Sequence, residues 1–286
     1  MQNHVPAFGL NGATTGERVP VTEDIRAAAA AGYEYVELRD TKIERYLATG
    51  GTLQSLRASL REAGIAALSV NALEDATLRQ GHRFDEAVRR CRTLCEWAAD
   101  LDCPYVVAVP SFTGQKENAG LDEHDVRWRS AAALRTMVDV AGTAGVRLGF
   151  EFLGFPTCSV STLRAARGVI EDVGSPRVGL IIDAFHFYTG GSRLEDLDGL
   201  DPSRIFVVHL DDAPPGDPAH LTDAQRLLPG EGVLPLRALI GRLQADGYRG
   251  AYSLELFRPE YWARDPRDLA RSGLGSMRKL FESAPA

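Results

Sequence analysis

The chain has 286 residues, 44% of them hydrophobic and 25% charged, and a formal net charge of −7. These proportions suit a globular protein with a substantial core, and the acidic balance opposes general attraction to nucleic acid or anionic membranes. The length is long for an ordinary domain but usual for an α/β barrel, so one domain over residues 1–286 is expected.

The opening MQNHVPAFGL lacks the basic start and long apolar run of a secretory signal, and no later stretch is long and apolar enough for a membrane span. A cytoplasmic protein is therefore expected. Cys91, Cys95, Cys103 and Cys158 include no CxxC pair and are expected to be reduced thiols.

Short β-prone runs alternate with amphipathic stretches along the whole chain. VPAFGL (5–10) precedes the helical TEDIRAAAAAG, and YEYVEL (33–38) precedes TLQSLRASLREAG. IAALSV (65–70) leads to FDEAVRRCRTLCEWAAD, where Cys91 and Cys95 share one helical face and are expected in the core. PYVVAV (104–109) leads to WRSAAALRTMVDVAGTAG, and RLGFEF to STLRAARGVIEDV. RVGLIID, RIFVVHL and GAYSLEL complete the strands, with RLEDLDGL, LPLRALIGRLQADG and DPRDLARSGLGSMRKLFES as their helices. Thr22 and Ser161 are expected N-caps, and Gly32, Gly64, Gly145 and Gly247 stand where left-handed helix ends are expected.

Eight such units without a composition break predict a single closed (β/α)8 TIM barrel. A doubly wound open sheet also alternates strand and helix. It is opposed by the absence of G-x-G-x-x-G after the first strand, and no G-x-x-x-x-G-K-[ST] is present either.

Glu151, Asp183, His209 and Glu255 each stand near the end of one of the last four strands. Barrel enzymes place their chemistry at those ends, and a carboxylate or imidazole buried there needs a partner or a cation. Three carboxylates and an imidazole suit one divalent ion, manganese, zinc, cobalt or magnesium. A cation held by three carboxylates leaves about one negative charge, for which His186, Arg226 and Arg258 are the candidate balancing groups. Arg226 could alternatively bridge to Glu231.

Asp211 and Asp212, next to His209, could orient its imidazole. Asn71 could donate to a substrate hydroxyl. Phe155, Phe257, Tyr261 and Trp262 could wall the carbon face of a polyol. His4, His82, His124 and His220 lack strand-end partners and are expected to be structural or exposed.

The stretches ALSVNAL, PYVVAVP, EFLGFPTCSV, VGLIIDAFHF, IFVVHLDDAP, RLLPGEGVLPL and SLELFRPEYW carry a resemblance to the xylose isomerase-like superfamily of sugar isomerases, epimerases and related endonucleases. The last is similar to a subgroup acting on inosose. The resemblance implies one divalent metal on Glu151, Asp183, His209 and Glu255, with His186 and Arg226 at the substrate. Asn71, Arg258 and Trp262 complete the expected substrate site.

The implied reaction moves the carbonyl of a cyclic polyol ketone, 2-keto-myo-inositol to 1-keto-D-chiro-inositol. Glu151 or Glu255 would be the general base and His186 a proton shuttle. Ketose 3-epimerisation and dehydration of inosose or 3-dehydroshikimate share the same first proton abstraction. An abasic-site endonuclease is opposed by the acidic balance and scarce histidines, and a non-catalytic sugar-binding module by the complete ligand set. The partner is thus a small polyol ketone or ketose, with homo-oligomers common among relatives. One departure from the resemblance is Gly12, where an acidic residue is expected.

Overall fold

Eight parallel strands pair in chain order and close into a barrel. The computed structural model describes residues 6–114, 118 and 120–282. The strands are β1 (Phe8–Asn11), β2 (Tyr35–Arg39), β3 (Ala66–Leu73) and β4 (Tyr105–Ala108), then β5 (Arg147–Glu151), β6 (Val178–Asp183), β7 (Ile205–Leu210) and β8 (Ala251–Leu254). All eight expected runs form strands; Val5, in the first run, lies outside the described residues, as does His4.

Around the barrel lie α1 (Val21–Ala31), α2 (Asp40–Ala48), α3 (Leu53–Ala63), α4 (His82–Asp100) and α5 (Glu123–Thr143). They are followed by α6 (Leu163–Val173), α7 (Ala184–Thr189), α8 (Leu236–Ala245), α9 (Pro259–Trp262) and α10 (Pro266–Phe281). Strands of this kind are buried on both faces, by side chains in the barrel and by helices outside. Leu68, Val107, Ile181 and Val207 belong to a small interior cluster, while Leu10, Val36, Phe150 and Leu210 pack in the larger core that includes the helices. Cys91 and Cys95 lie in that larger core, and all four cysteines are free. No helix among the described residues is long and apolar enough to cross a membrane.

Several local expectations shift. Helix α1 begins at Val21 behind Pro20, so Thr22 is inside the helix and not its cap. Thr162, not Ser161, caps α6, accepting from the Ala165 amide. Gly32 and Gly64 are left-handed C-caps, whereas Gly145 and Gly247 adopt positive φ one residue beyond the caps Ala144 and Asp246. RLEDLDGL forms only a 3₁₀ turn over Leu194–Leu197. Helix α2 had no apolar periodicity to announce it, because it buries Asp40 and Lys42 with Ile43.

Lys42 explains that burial and the glycine at 12. Its Nζ donates to Asp24 Oδ2 at 2.8 Å, Gly12 O at 2.7 Å and Thr15 Oγ1 at 2.9 Å, tying the β1–α1 loop to α2. A Cβ on Gly12 would lie 2.9 Å from Asp24 Oδ2 and 3.3 Å from Glu37 O. An acidic side chain there would crowd the ion pair with a like charge.

Both partners are 1% exposed, and removing one leaves a buried, uncompensated charge. Asp24→Ala is expected to lower the unfolding free energy by about 3–5 kcal/mol. Urea denaturation followed by circular dichroism measures it, and an unchanged midpoint would show that the pair does not hold this loop.

Candidate active site

Strand register sends the four strand-end residues to one place. Asp183 pairs with His209, and Glu151 with Ile181, two residues before Asp183. His209 in turn pairs with Ser253, two before Glu255. With side chains alternating along a strand, Glu151, Asp183, His209 and Glu255 share the interior face at the C-terminal mouth. Their ligand atoms all lie within 4.8 Å of one another and all four residues are buried.

His209 is the pivot. Its Nδ1 lies 3.1 Å from Glu151 Oε1, 3.2 Å from Glu255 Oε2 and 3.8 Å from Asp183 Oδ2. Its Nε2 faces Glu37 of β2, 3.1 Å from Oε1 and 3.3 Å from Oε2. Ser69 Oγ donates to Glu37 Oε2 at 2.6 Å, which fixes that carboxylate in turn. With Glu37 taking the Nε2 proton, Nδ1 presents its lone pair to the three carboxylates, the usual arrangement of a metal-binding histidine backed by a carboxylate.

The electrostatics call for a cation at that point. Burial would push the His209 imidazole down, but Glu255, Glu37 and Glu151 raise it well above its ordinary value. Burial and the charges of Glu255 and Asp183 push Glu151 up to about 8 despite His209. Burial would also raise Glu255, yet His209, Arg226 and Arg39 hold it below the usual range. One nitrogen and three carboxylate oxygens converging in a buried pocket form a hard donor set that fits a single divalent ion.

The surrounding side chains orient these groups. Glu255 Oε1 accepts from Asn11 Nδ2 at 2.8 Å and Asn71 Nδ2 at 3.4 Å. Asp183 caps α7, its Oδ1 accepting from the His186 amide at 2.7 Å. Helix α7 itself is seated by contacts that only glycine permits: a Cβ on Gly154 would lie 2.5 Å from His186 O, and one on Gly190 1.9 Å from Ser161 O.

Arg226 is 1% exposed and enters on the loop after β7. Its Nη1 donates to Asp211 at 2.5 Å, Asp183 at 2.6 Å and Glu255 at 3.2 Å, and its Nε to Asp223 at 2.9 Å. Its Nη2 lies 3.0 Å from His186 Nε2. A guanidinium can only donate, so His186 Nε2 accepts and the proton sits on Nδ1, which is buried and has no hydrogen-bond partner. Burial and Arg226 lower the His186 imidazole to about 3, keeping it neutral.

These groups meet around a cavity of 210 Å³ lined by Glu151, Glu255, His186, Arg226 and Asn71, with Phe155 and Phe257 among its apolar walls. At about 30 Å³ per water the volume equals roughly seven waters, the scale of one small polyol. A larger cavity of 530 Å³ lies outside the barrel near Phe84 and Trp128 and contains no cluster of acid, base or ligand groups.

Other expected residues sit elsewhere. Arg258 pairs with Glu260 at 3.2 Å and lies over the Tyr261 ring, and Trp262 Nε1 donates to Ala13 O at 3.1 Å; neither lines the cavity. The Tyr261 hydroxyl bonds the Leu228 amide and Glu231, so the bridge imagined between Arg226 and Glu231 is not made. Asp211 steadies Arg226 and the Phe185 amide, and Asp212 binds the amides of Ala213, Gly230 and Leu234. The residue orienting the His209 imidazole is therefore Glu37, and not either aspartate. His82, His124 and His220 are exposed.

Fold, ligand set and pocket together define a metal-dependent barrel enzyme of the sugar isomerase type. The chain belongs to the xylose isomerase-like TIM barrel family, whose model matches residues 25–280. It is 35% identical over 253 residues to an inosose isomerase of Halalkalibacterium halodurans, covering 88% of each chain. It is 26% identical to a 3-dehydroshikimate dehydratase of Pseudomonas putida, over 99% of this chain but 42% of that protein. A crystal structure of IOLI protein with a binding zinc atom superposes with a TM-score of 0.91 at 31% identity, over 96% of this chain and 97% of the other.

Glu37 is a test of how the centre is built. Replacing it with leucine is expected to weaken zinc or cobalt binding about 10- to 100-fold, measured by competition with a chromophoric chelator. Unchanged affinity would mean that His209 needs no partner on Nε2.

Proposed function

We propose that the protein is a divalent-metal-dependent isomerase that moves the carbonyl of a cyclic polyol ketone by one carbon, converting 2-keto-myo-inositol into 1-keto-D-chiro-inositol. The whole chain, residues 1–286, would act as one catalytic unit. The observation that carries the reading is a pair of residues lining one cavity, each with a proton-transfer atom that no described residue bonds. Glu151 uses Oε1 toward His209 and keeps Oε2 without a hydrogen bond, while His186 keeps Nδ1 without one. The likeness to an inosose isomerase supports the same substrate class.

Glu151, Asp183, His209 and Glu255 would hold the ion. When bound, the ion supplies Lewis-acid polarisation of the ketone and stabilises developing negative charge on oxygen. Glu151 Oε2 removes the proton from the carbon next to the carbonyl and later returns it to the former carbonyl carbon. Glu255 is less suited to that task, because Asn11, Asn71 and Arg226 occupy both of its oxygens.

His186 Nδ1–H donates to the ketone oxygen. The guanidinium against Nε2 supports the negative charge left on the ring as that proton moves, and the ring recovers a proton from the neighbouring hydroxyl, as a neutral catalytic imidazole can do. Asn71 is positioned to meet a substrate hydroxyl, and Phe155 and Phe257 cover carbon and exclude water. Arg258 and Trp262 would act through the loops around the mouth and not by lining the cavity.

Incubating inosose with manganese-loaded protein in heavy water, followed by carbon NMR, is expected to show the carbonyl migrating with deuterium at the exchanged carbon. Exchange without migration would instead indicate epimerisation, and loss of water a dehydratase.

Two variants separate the roles. Glu255→Gln is expected to abolish turnover and weaken metal binding. His186→Ala should keep its metal and lose turnover by about 10²- to 10⁴-fold, the usual worth of general acid–base catalysis. Full activity in a chelator-stripped sample, or unchanged turnover in His186→Ala, would sink the mechanism.

A further inference from the structure

The charges around the cavity restrict which ligands it admits, an inference that rests on reading the site as one for a polyol ketone. Two cations line it, Arg226 and Arg39. Arg226 has Asp183, Asp211, Asp223 and Glu255 within 3.2 Å. Arg39 donates to Asn71 Oδ1 at 2.6 Å and lies 3.9 Å from Glu17. Arg226 is neutralised by the carboxylates around it and is not available to a phosphate or carboxylate, which is normally held by a free, bidentate arginine. Arg39, by contrast, has only the distant Glu17 and keeps its buried Nε without a hydrogen bond among the described residues.

Glu74 is the opposite case. It follows the end of β3 and lines the same cavity as Glu151, His186 and Glu255. Among the described residues it is the one charged group of that lining with neither a hydrogen bond nor an ion pair of its own. Partial burial raises its carboxyl, Arg39 is the largest single charge acting the other way, and Asp40, Glu255 and Asp223 add negative charge around it. A hydroxyl can donate to such a carboxylate, whereas a second anion is repelled by it.

We infer that Glu74 is a specificity-determining residue, an unpaired carboxylate at the cavity that favours uncharged polyols and disfavours phosphorylated or carboxylated ones. The filter separates two chemistries found among similar proteins. A cyclic polyol ketone is neutral, whereas 3-dehydroshikimate carries a carboxylate. Glu74 would therefore set the direction in which the shared proton abstraction is used, by choosing the ring that enters.

The test compares shikimate with its methyl ester, which share a ring and its hydroxyls and differ by one negative charge. Binding of each to the manganese-loaded protein is measured by calorimetry at low salt. Because Glu74 is solvated at the mouth, the ester should be preferred by about tenfold, less than a dry like-charge contact would produce. In Glu74→Gln that preference should fall to about threefold or less, and added salt should shrink it in the wild type. Glu260→Gln, which removes an exposed carboxylate outside the cavity, should leave the preference unchanged.

Equal binding of acid and ester, failure of the ester to bind, or an unaltered preference in Glu74→Gln overturns the inference. Inosose turnover, assayed separately, keeps the two readings apart. A charge preference without isomerisation refutes the proposed reaction and upholds the filter, whereas isomerisation without a charge preference refutes the filter alone.

Discussion

Five buried carboxylates share one imidazole and one guanidinium, and the rest of the mouth is arranged around that excess of negative charge. Glu37, Glu151, Asp183, Asp211 and Glu255 are each at most 3% exposed. Burying one such group without compensation costs several kcal/mol, and strands locked in a closed barrel cannot move apart to relieve it. The compensation must come from positive charge and from hydrogen-bond donors brought in by loops. Arg226 is the largest contribution the chain itself makes, and a divalent ion among the four strand-end residues would supply what the chain lacks.

That requirement explains features which otherwise look unrelated. The loop after β7 is long because it must carry Arg226 back over the barrel, and Asp212 binds three of its amides to keep it there. Helix α7 is short and buried because it brings His186 under that guanidinium. Asn11 and Asn71 reach from β1 and β3 to Glu255, placing donors on a carboxylate that also contacts both Arg226 and His209. On the far side of His209, Ser69 and Glu37 complete a chain of polar groups through the barrel interior.

The four ligands were legible in the sequence because each interrupts an apolar run at a strand end, where local pattern alone identifies a buried polar group. His186 and Arg226 followed from the negative charge that such a ligand set leaves over, and the resemblance placed them at the substrate. Glu37 interrupts the expected strand YEYVEL between Val36 and Leu38, but Glu34 stands in the same run and nothing local separates the two; the pairing Glu37↔Ser69 is what brings Glu37 to the His209 side. Arg39, at the end of β2, joins Glu74 and Asp223 from the segments after β3 and β7 through convergence of separate parts of the chain, which periodicity cannot show. Arg258 and Trp262 looked close to the chemistry because they are close to Glu255 in sequence. The short helix α9 turns that segment outward, so proximity along the chain misled where strand register did not. Helix α2 was invisible for a related reason, since two of the residues it buries are charged, Lys42 paired with Asp24 of α1 and Asp40 with Arg90 of α4.

The proposed division of labour between Glu151 and Glu255 follows from neighbours and not from their own chemistry. Both are glutamates at strand ends, both face His209, and both belong to the ligand set. Glu255 is surrounded by donors and cations that stabilise its ionised form and occupy its oxygens, which makes it a good anchor and a poor proton acceptor. Glu151 has one such partner, a free oxygen on the cavity and two anionic neighbours that make it more willing to take a proton. A general base works best when its affinity for the proton lies near the operating pH. The barrel reaches that condition by giving one carboxylate fewer hydrogen bonds than its twin, and Glu74 extends the same logic to the mouth: the unsatisfied carboxylates, not the satisfied ones, are the groups left to meet a substrate.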